Sequence, residues 1–130
     1  MILLDTHAIV FDALAPERMT RRAARAIERA ADERALACSD ISLWEIAMLA
    51  TKRRLDLGTQ IDVFLDRAIQ ARAIEILPID PRIASLAQAD MFAHGDPADR
   101  IIGATALHRK AILISADQRL RAIKALKVIW

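Results

Sequence analysis

Five short apolar runs, rich in Ile, Leu and Val, are spaced along the chain at Ile2–Leu4, Leu36–Cys38, Ile74–Leu77, Ala111–Ile114 and Val128–Trp130. Between them lie longer stretches whose apolar residues recur three and four apart. Leu43, Ile46, Ala47 and Ala50 form one such stripe, and Ile61, Phe64, Leu65 and Ala68 another. Arg21–Ala35 is Ala-rich and charged, with no Gly or Pro, and reads as a helix. Pro81 after Asp80 and Pro97 after Asp96 read as first helical positions following N-caps, and Gly58-Thr59 separates two helices. Strands that alternate with helices predict an α/β fold, a central, mostly parallel sheet flanked by helices on both faces.

At 130 residues the chain is expected to form a single domain, 1–130, long enough to bury roughly two thirds of its unfolded surface. A hydrophobic fraction of 55% with 28% charged residues excludes a disordered chain. No apolar run approaches the roughly 18 residues of a membrane span, and no basic region precedes the first apolar stretch, so neither membrane insertion nor secretion is expected. The single cysteine, Cys38, sits among apolar neighbours and reads as a core residue of a cytoplasmic protein. Net charge is only +2, yet six Lys or Arg and one acid fall between Ile101 and Trp130, an asymmetry that suits either a polyanion or a solvated helix face.

In parallel α/β sheets chemistry collects where strands end. Asp5 directly follows the first apolar run, and Asp117 follows Ile112-Leu113-Ile114-Ser115-Ala116. Glu45 is expected in the opening turn of the helix after Leu36–Cys38, and Asp99 in that of the helix begun at Pro97. Four acids far apart in sequence are thus expected on one sheet edge, where mutual repulsion calls for a cation or raised pKa values. Oxygen ligands alone suit Mg²⁺ or Mn²⁺. Each acid also has a structural reading. Ser42-x-x-Glu45 has the form of a capping box, Asp96 and Asp99 that of a cap and a first-turn acid, and Asp117 can cap a helix over Gln118–Ala125. Capping accounts less well for Asp5, because Thr6 and His7 precede the helix-like run His7–Leu14.

Leu3-Leu4-Asp5-Thr6-His7-Ala8, Ser42-Leu43-Trp44-Glu45-Ile46-Ala47, His94-Gly95-Asp96-Pro97-Ala98-Asp99-Arg100-Ile101-Ile102, Ile114-Ser115-Ala116-Asp117 and the terminal Val128-Ile129-Trp130 occur in this order. Together they resemble the PIN domain ribonucleases, and among these the VapC-type toxins of bacterial toxin–antitoxin pairs. The resemblance spans essentially the whole chain. It implies a PIN-like fold with Asp5, Glu45, Asp99 and Asp117 as an acidic quartet on Mg²⁺ or Mn²⁺, hydrolysing RNA. Thr6 and Ser115 would be polar neighbours of these carboxylates, and Asp96 would support Asp99 as a cap. Glu45 would ligate through water or help deprotonate the nucleophile. Ala98 departs from the family, which commonly has a large aromatic there.

The resemblance also implies a cognate antitoxin and a homodimer. Trp44, Met48 and Leu49 with Phe64 and Leu65 are then either core or part of a groove for the antitoxin's amphipathic segment. His7, His94 and His108 show no pairing at helical or turn spacing and read as structural. Arg18, Arg22, Arg25 and Arg29 fall on one helical face, and Arg119, Arg121, Lys124 and Lys127 form a second basic cluster, a subset of which would contact phosphates. With three Phe, two Trp and no Tyr, a folded RNA read by shape is expected over a stacked single strand. Two rival readings remain: a non-catalytic RNA-binding module of the same fold, and a haloacid dehalogenase-like phosphatase. The second needs an Asp two residues after the first, where His7 stands.

Overall fold

The computed structural model describes residues 1–93 and 95–130. In chain order the elements are β1 (Ile2–Leu4), α1 (Thr6–Leu14), α2 (Arg21–Asp32), β2 (Leu36–Ser39), α3 (Asp40–Thr51), α4 (Ile61–Arg72), β3 (Glu75–Leu77), α5 (Pro81–Leu86), α6 (Pro97–His108), β4 (Ile112–Ile114), α7 (Gln118–Arg121) and β5 (Lys127–Ile129). Two 3₁₀ turns, Pro16–Arg18 and Asp90–Phe92, precede α2 and α6. The five strands form one sheet in the order β3-β2-β1-β4-β5, with all four pairings parallel. Among the described residues no helix is long and apolar enough to cross a membrane.

Register and pleat divide the core into two layers. Leu3 pairs with Ala37 and Leu113, and these point to the face covered by Ile83, Phe92, Ile102 and Leu120. Leu4 pairs with Cys38 and Ile114 on the other face, against Ile9, Val10, Ile27 and Phe64. Leu3 and Leu4 are both fully buried, each worth roughly 1.5–3 kcal/mol of transfer free energy. Burial on both faces explains why β1 reads as a continuous apolar run.

Several positions differ from the sequence expectation. α2 stops at Asp32 instead of Ala35, because Arg34 turns left-handed (φ 52°) and the Ala35 N–H bonds back to the Ala30 carbonyl. α7 is one turn long instead of reaching Ala125. Successive tight turns, Ile123 N–H to the Leu120 carbonyl and Leu126 N–H to the Ile123 carbonyl, bury Leu126 and lead into β5. Arg18 lies in the 3₁₀ turn, off the helical face of Arg22, Arg25 and Arg29, and its guanidinium sits 4.4 Å over the Phe11 ring.

Candidate functional site

β1 is first in the chain but central in the sheet, and the strand order reverses there: β2 and β3 lie on one side, β4 and β5 on the other. The crevice between the carboxyl ends of β1 and β4 is a topological switch point. Asp5 emerges there, its N–H held by the Ile114 carbonyl at 3.1 Å. Ser115 and Asp117 emerge from the adjacent strand.

Asp5 is the N-cap of α1, its Oδ1 accepting from the Ala8 N–H at 2.7 Å. This is the acid for which the sequence pattern favours capping least. The helix begins at Thr6, one residue earlier than the apolar pattern suggested, and that brings the carboxylate into reach. Asp117 caps α7 through Oδ1 and the Leu120 N–H at 3.0 Å. Asp96 caps α6 by accepting from the Asp99 N–H at 2.8 Å, with Asp99 in the first turn. At Asp5 and Asp117 the capping and acidic-cluster readings are therefore compatible, since a cap occupies one carboxylate oxygen and leaves the other.

The Ser42–Glu45 capping box does not form. α3 starts at Asp40 and is capped by Ser39, whose Oγ accepts from the Ile41 N–H at 3.3 Å, so Glu45 sits in the second turn. Ser42 is fully buried and receives a hydrogen bond from Thr6 Oγ1 at 3.2 Å. This pins the start of α1 to α3 one turn before Glu45, which is itself buried. α3 also packs against α6, the helix that carries Asp99.

Electrostatics couple these positions. Asp99 is pushed up to about 8, first by desolvation and then by the negative charges of Asp96, Asp117, Glu45 and Asp5. Burial raises the pKa of Asp5, which is 4% exposed; the Ser115 hydroxyl, the Ala8 N–H and His7 oppose the shift, and Asp117 adds to it. The ion pairs recorded among the described residues, Arg72 with Asp12 and Glu28 and His108 with Asp80, lie elsewhere.

Among the described residues no three Asp, Glu, His or Cys side chains form a ready ligand cage. The acids converge as a field of negative charge. That suits a hard cation that keeps several waters and takes one or two carboxylates directly, as Mg²⁺ does. The donor set is all oxygen, and the raised pKa of Asp99 marks the negative charge such a cation would relieve.

Other expectations resolve individually. Ser115 is fully buried; its Oγ accepts from the Asp117 N–H at 3.1 Å, and its hydroxyl favours the charged form of Asp5. His7 is exposed and packs against Phe11, with ring centroids 6.0 Å apart, and His108 lies 3.8 Å from Asp80. His94 lies outside the described residues. Phe64 is core, Met48, Leu49 and Leu65 are half-buried, and Trp44 is 61% exposed, so this apolar group is not all core. Ala98 is buried. Asp40 is a further acid on this edge that the sequence reading passed over, although it directly follows β2. Its Oδ2 accepts from the Ile79 N–H at 3.2 Å, on the β3 side of the sheet.

The PIN domain family model matches residues 2–126. Ribonuclease VapC22 of Mycobacterium tuberculosis is 37% identical over 122 residues, covering 93% of this chain and 90% of that protein. Among solved structures, VapBC2 from Rickettsia felis bound to a promoter DNA fragment is similar with a TM-score of 0.74 at 20% identity, over 99% of this chain and 98% of that one. A toxin–antitoxin complex from Klebsiella pneumoniae has a TM-score of 0.61 at 24% identity, over 100% of this chain and 97% of that one.

Proposed function

Since this chain belongs to the PIN domain family, we propose that it is a metal-dependent ribonuclease that acts as the toxin of a toxin–antitoxin pair. The observation that carries this reading is the gathering of acids at one sheet edge: Asp5 follows β1, Asp117 follows the adjacent β4, Asp99 lines one cavity with Asp117, and Glu45 is near enough for its charge to act on Asp99. The similarity to a mycobacterial ribonuclease supports RNA as the substrate. The likeness of fold to toxins solved in complexes with their antitoxins supports a protein partner that holds the activity in check. Self-association as a homodimer and action in the cytoplasm belong to the same reading.

Asp5, Asp99 and Asp117 would hold Mg²⁺ or Mn²⁺. Such an ion, when bound, supplies positive charge to a phosphate oxygen and makes water a stronger nucleophile. The chain's own residues set the geometry. The Ala8 N–H holds the Asp5 carboxylate and the Ser115 hydroxyl favours its charged form, the Leu120 N–H holds Asp117, and the Asp96 cap holds the turn that carries Asp99. Glu45, placed by the Thr6–Ser42 contact, either ligates through water or accepts the proton of the attacking water. Its amide variant separates the roles, because loss of a base lowers turnover while metal affinity stays.

Cleavage of total cellular RNA and of folded RNAs by the purified protein, with Mg²⁺ or Mn²⁺ and then with EDTA, tests the reading. Asp5→Asn and Asp99→Asn run alongside. Asn remains a good N-cap, so Asp5→Asn is expected to fold. Metal-dependent cutting lost in both variants is the expected result. Cutting that persists in EDTA and in both variants would overturn it, and RNA binding unchanged by Asp5→Asn without any cutting would favour a binding module.

A further inference from the structure

Beside the acidic edge lies a cavity of about 290 Å³. Its walls are mostly apolar: Met91 and Phe92 from the 3₁₀ turn before α6, Leu120 from α7, and Ala122 and Ile123 just beyond. Asp99 and Asp117 line the same cavity, so it is continuous with the acids of the candidate site. Resting on the proposed ribonuclease function, we propose that this cavity receives one nucleobase of the RNA, that of a nucleotide flanking the scissile phosphate.

Size and chemistry both favour this occupant. The volume sits at about the lower end of small-molecule sites, ~300 Å³, enough for a single ring system and too small for an oligonucleotide. The lining carries two acids, Asp99 and Asp117, and two cations, Arg100 and Arg119, so net charge does not select an anion, and the apolar part of the wall suits a neutral base. Arg100 supplies a flat polar surface to one side. Its Nε donates to the Ala87 carbonyl and a terminal nitrogen donates to Gln88 Oε1, both at 3.0 Å, which fixes the guanidinium plane before a ligand arrives. Arginine planes and apolar or aromatic walls are the surfaces on which unstacked RNA bases are held.

The cavity is also built to stay open. Phe92 is 2% exposed, and its ring lies so close to α6 that a Cβ on Gly103 would stand 2.6 Å from its Cε1 and 3.2 Å from Leu120 Cδ2. The missing side chain at Gly103 lets both residues settle onto the helix instead of filling the space beside Asp99. Met91, 45% exposed, is the flexible part of the wall.

Met91 makes the proposal testable without a known RNA substrate. The full chain, carrying ¹³C-methyl methionine and saturated with Mg²⁺, would be titrated with each of the four ribonucleoside 5′-monophosphates and, separately, with ribose 5-phosphate. The Met91 methyl resonance is expected to move with nucleotide and not with ribose 5-phosphate, while Met19 in the core and Met48 on α3 stay in place. Ala122→Trp, an exposed position on the cavity wall, is expected to abolish the response while circular dichroism and Mg²⁺ affinity are unchanged. A Met91 signal unmoved by all four nucleotides, moved equally by ribose 5-phosphate, or still responsive in Ala122→Trp would overturn the proposal. Failure of the ribonuclease reading is a separate outcome, seen as a Met91 response in a protein that cuts no RNA.

Discussion

Ser115 and Asp117 meet at the carboxyl end of β4: the Ser115 hydroxyl oxygen accepts the Asp117 N–H at 3.1 Å, and the same hydroxyl favours the charged form of the Asp5 carboxylate. One fully buried hydroxyl therefore acts on two acids that follow neighbouring strands and lie more than a hundred residues apart in sequence. Ser115→Ala removes the bond to Asp117, strands its backbone donor, and takes a stabilising dipole away from Asp5. A stability loss of about 1–3 kcal/mol is expected from the unmet hydrogen bond. Mn²⁺ affinity, read by calorimetry, is expected to fall roughly 10–100-fold, the usual cost of losing a group that orients metal ligands.

Asp99 gives the metal-free protein a pH dependence of definite sign. Its carboxyl loses its proton near 3.8 in the unfolded chain but holds it to about 8 in the folded one. Between those values the folded state binds more protons, so this group's contribution to stability declines as pH rises and levels off above about 8. Thermal melts in EDTA are expected to show a lower Tm at pH 8 than at pH 6. Asp99→Asn is expected to flatten that difference, and Mn²⁺ to restore stability most at the higher pH.

Gly103→Ala sets two effects against each other. Alanine favours the helix by about 1 kcal/mol, whereas the new Cβ must displace a buried aromatic ring at a cost of about 1–3 kcal/mol. The net change is expected to be destabilising in a denaturant titration. In the same variant the Phe92 ring is expected to move toward the cavity and reduce nucleotide binding there.

Arg72 joins three helices. Its guanidinium makes a two-bond fork to Asp12 of α1, both bonds 2.9 Å, and reaches Glu28 of α2 at 2.8 Å. Asp12 is the more sheltered partner, with 13% of its side chain exposed, whereas Glu28 is largely in water and adds little. Arg72→Lys keeps the charge but not the fork, and a loss of about 1–2 kcal/mol is expected by chemical denaturation. Glu28→Gln is expected to be nearly silent.

Much of this architecture was legible in the residues. Ile2-Leu3-Leu4 and Ile112-Leu113-Ile114 announce strands buried on both sides, and the acid soon after each announces the acidic edge that the fold assembles. Which strands are neighbours is not a local property, so the action of Ser115 on both Asp5 and Asp117 had no signal in either segment alone. Helix ends were blurred for a related reason. Arg34, Arg53, Ala73 and Lys110 occupy the left-handed positions that glycine usually marks, so the chain carries few stop signals. Ser42 misled because its spacing from Glu45 imitates a capping box, while the structure uses it to receive Thr6. Asp5 misled in the opposite direction, as its cap depends on where α1 begins. The Arg72 fork joins residues sixty positions apart and left no trace in the pattern.

The central place of β1 has a consequence for how the protein is made. β1 pairs on one side with β2, which follows soon after it in the chain, but its other edge waits for the much later β4. Until Ile112–Ile114 has been synthesised, nothing brings the Ser115 hydroxyl to Asp5, and Asp117 does not yet exist. A nascent chain that already carries Asp5, Glu45 and Asp99 has therefore not yet assembled the acidic edge. On the proposed function, hydrolytic capacity would arrive in one late step, when the two halves of the sheet close on each other.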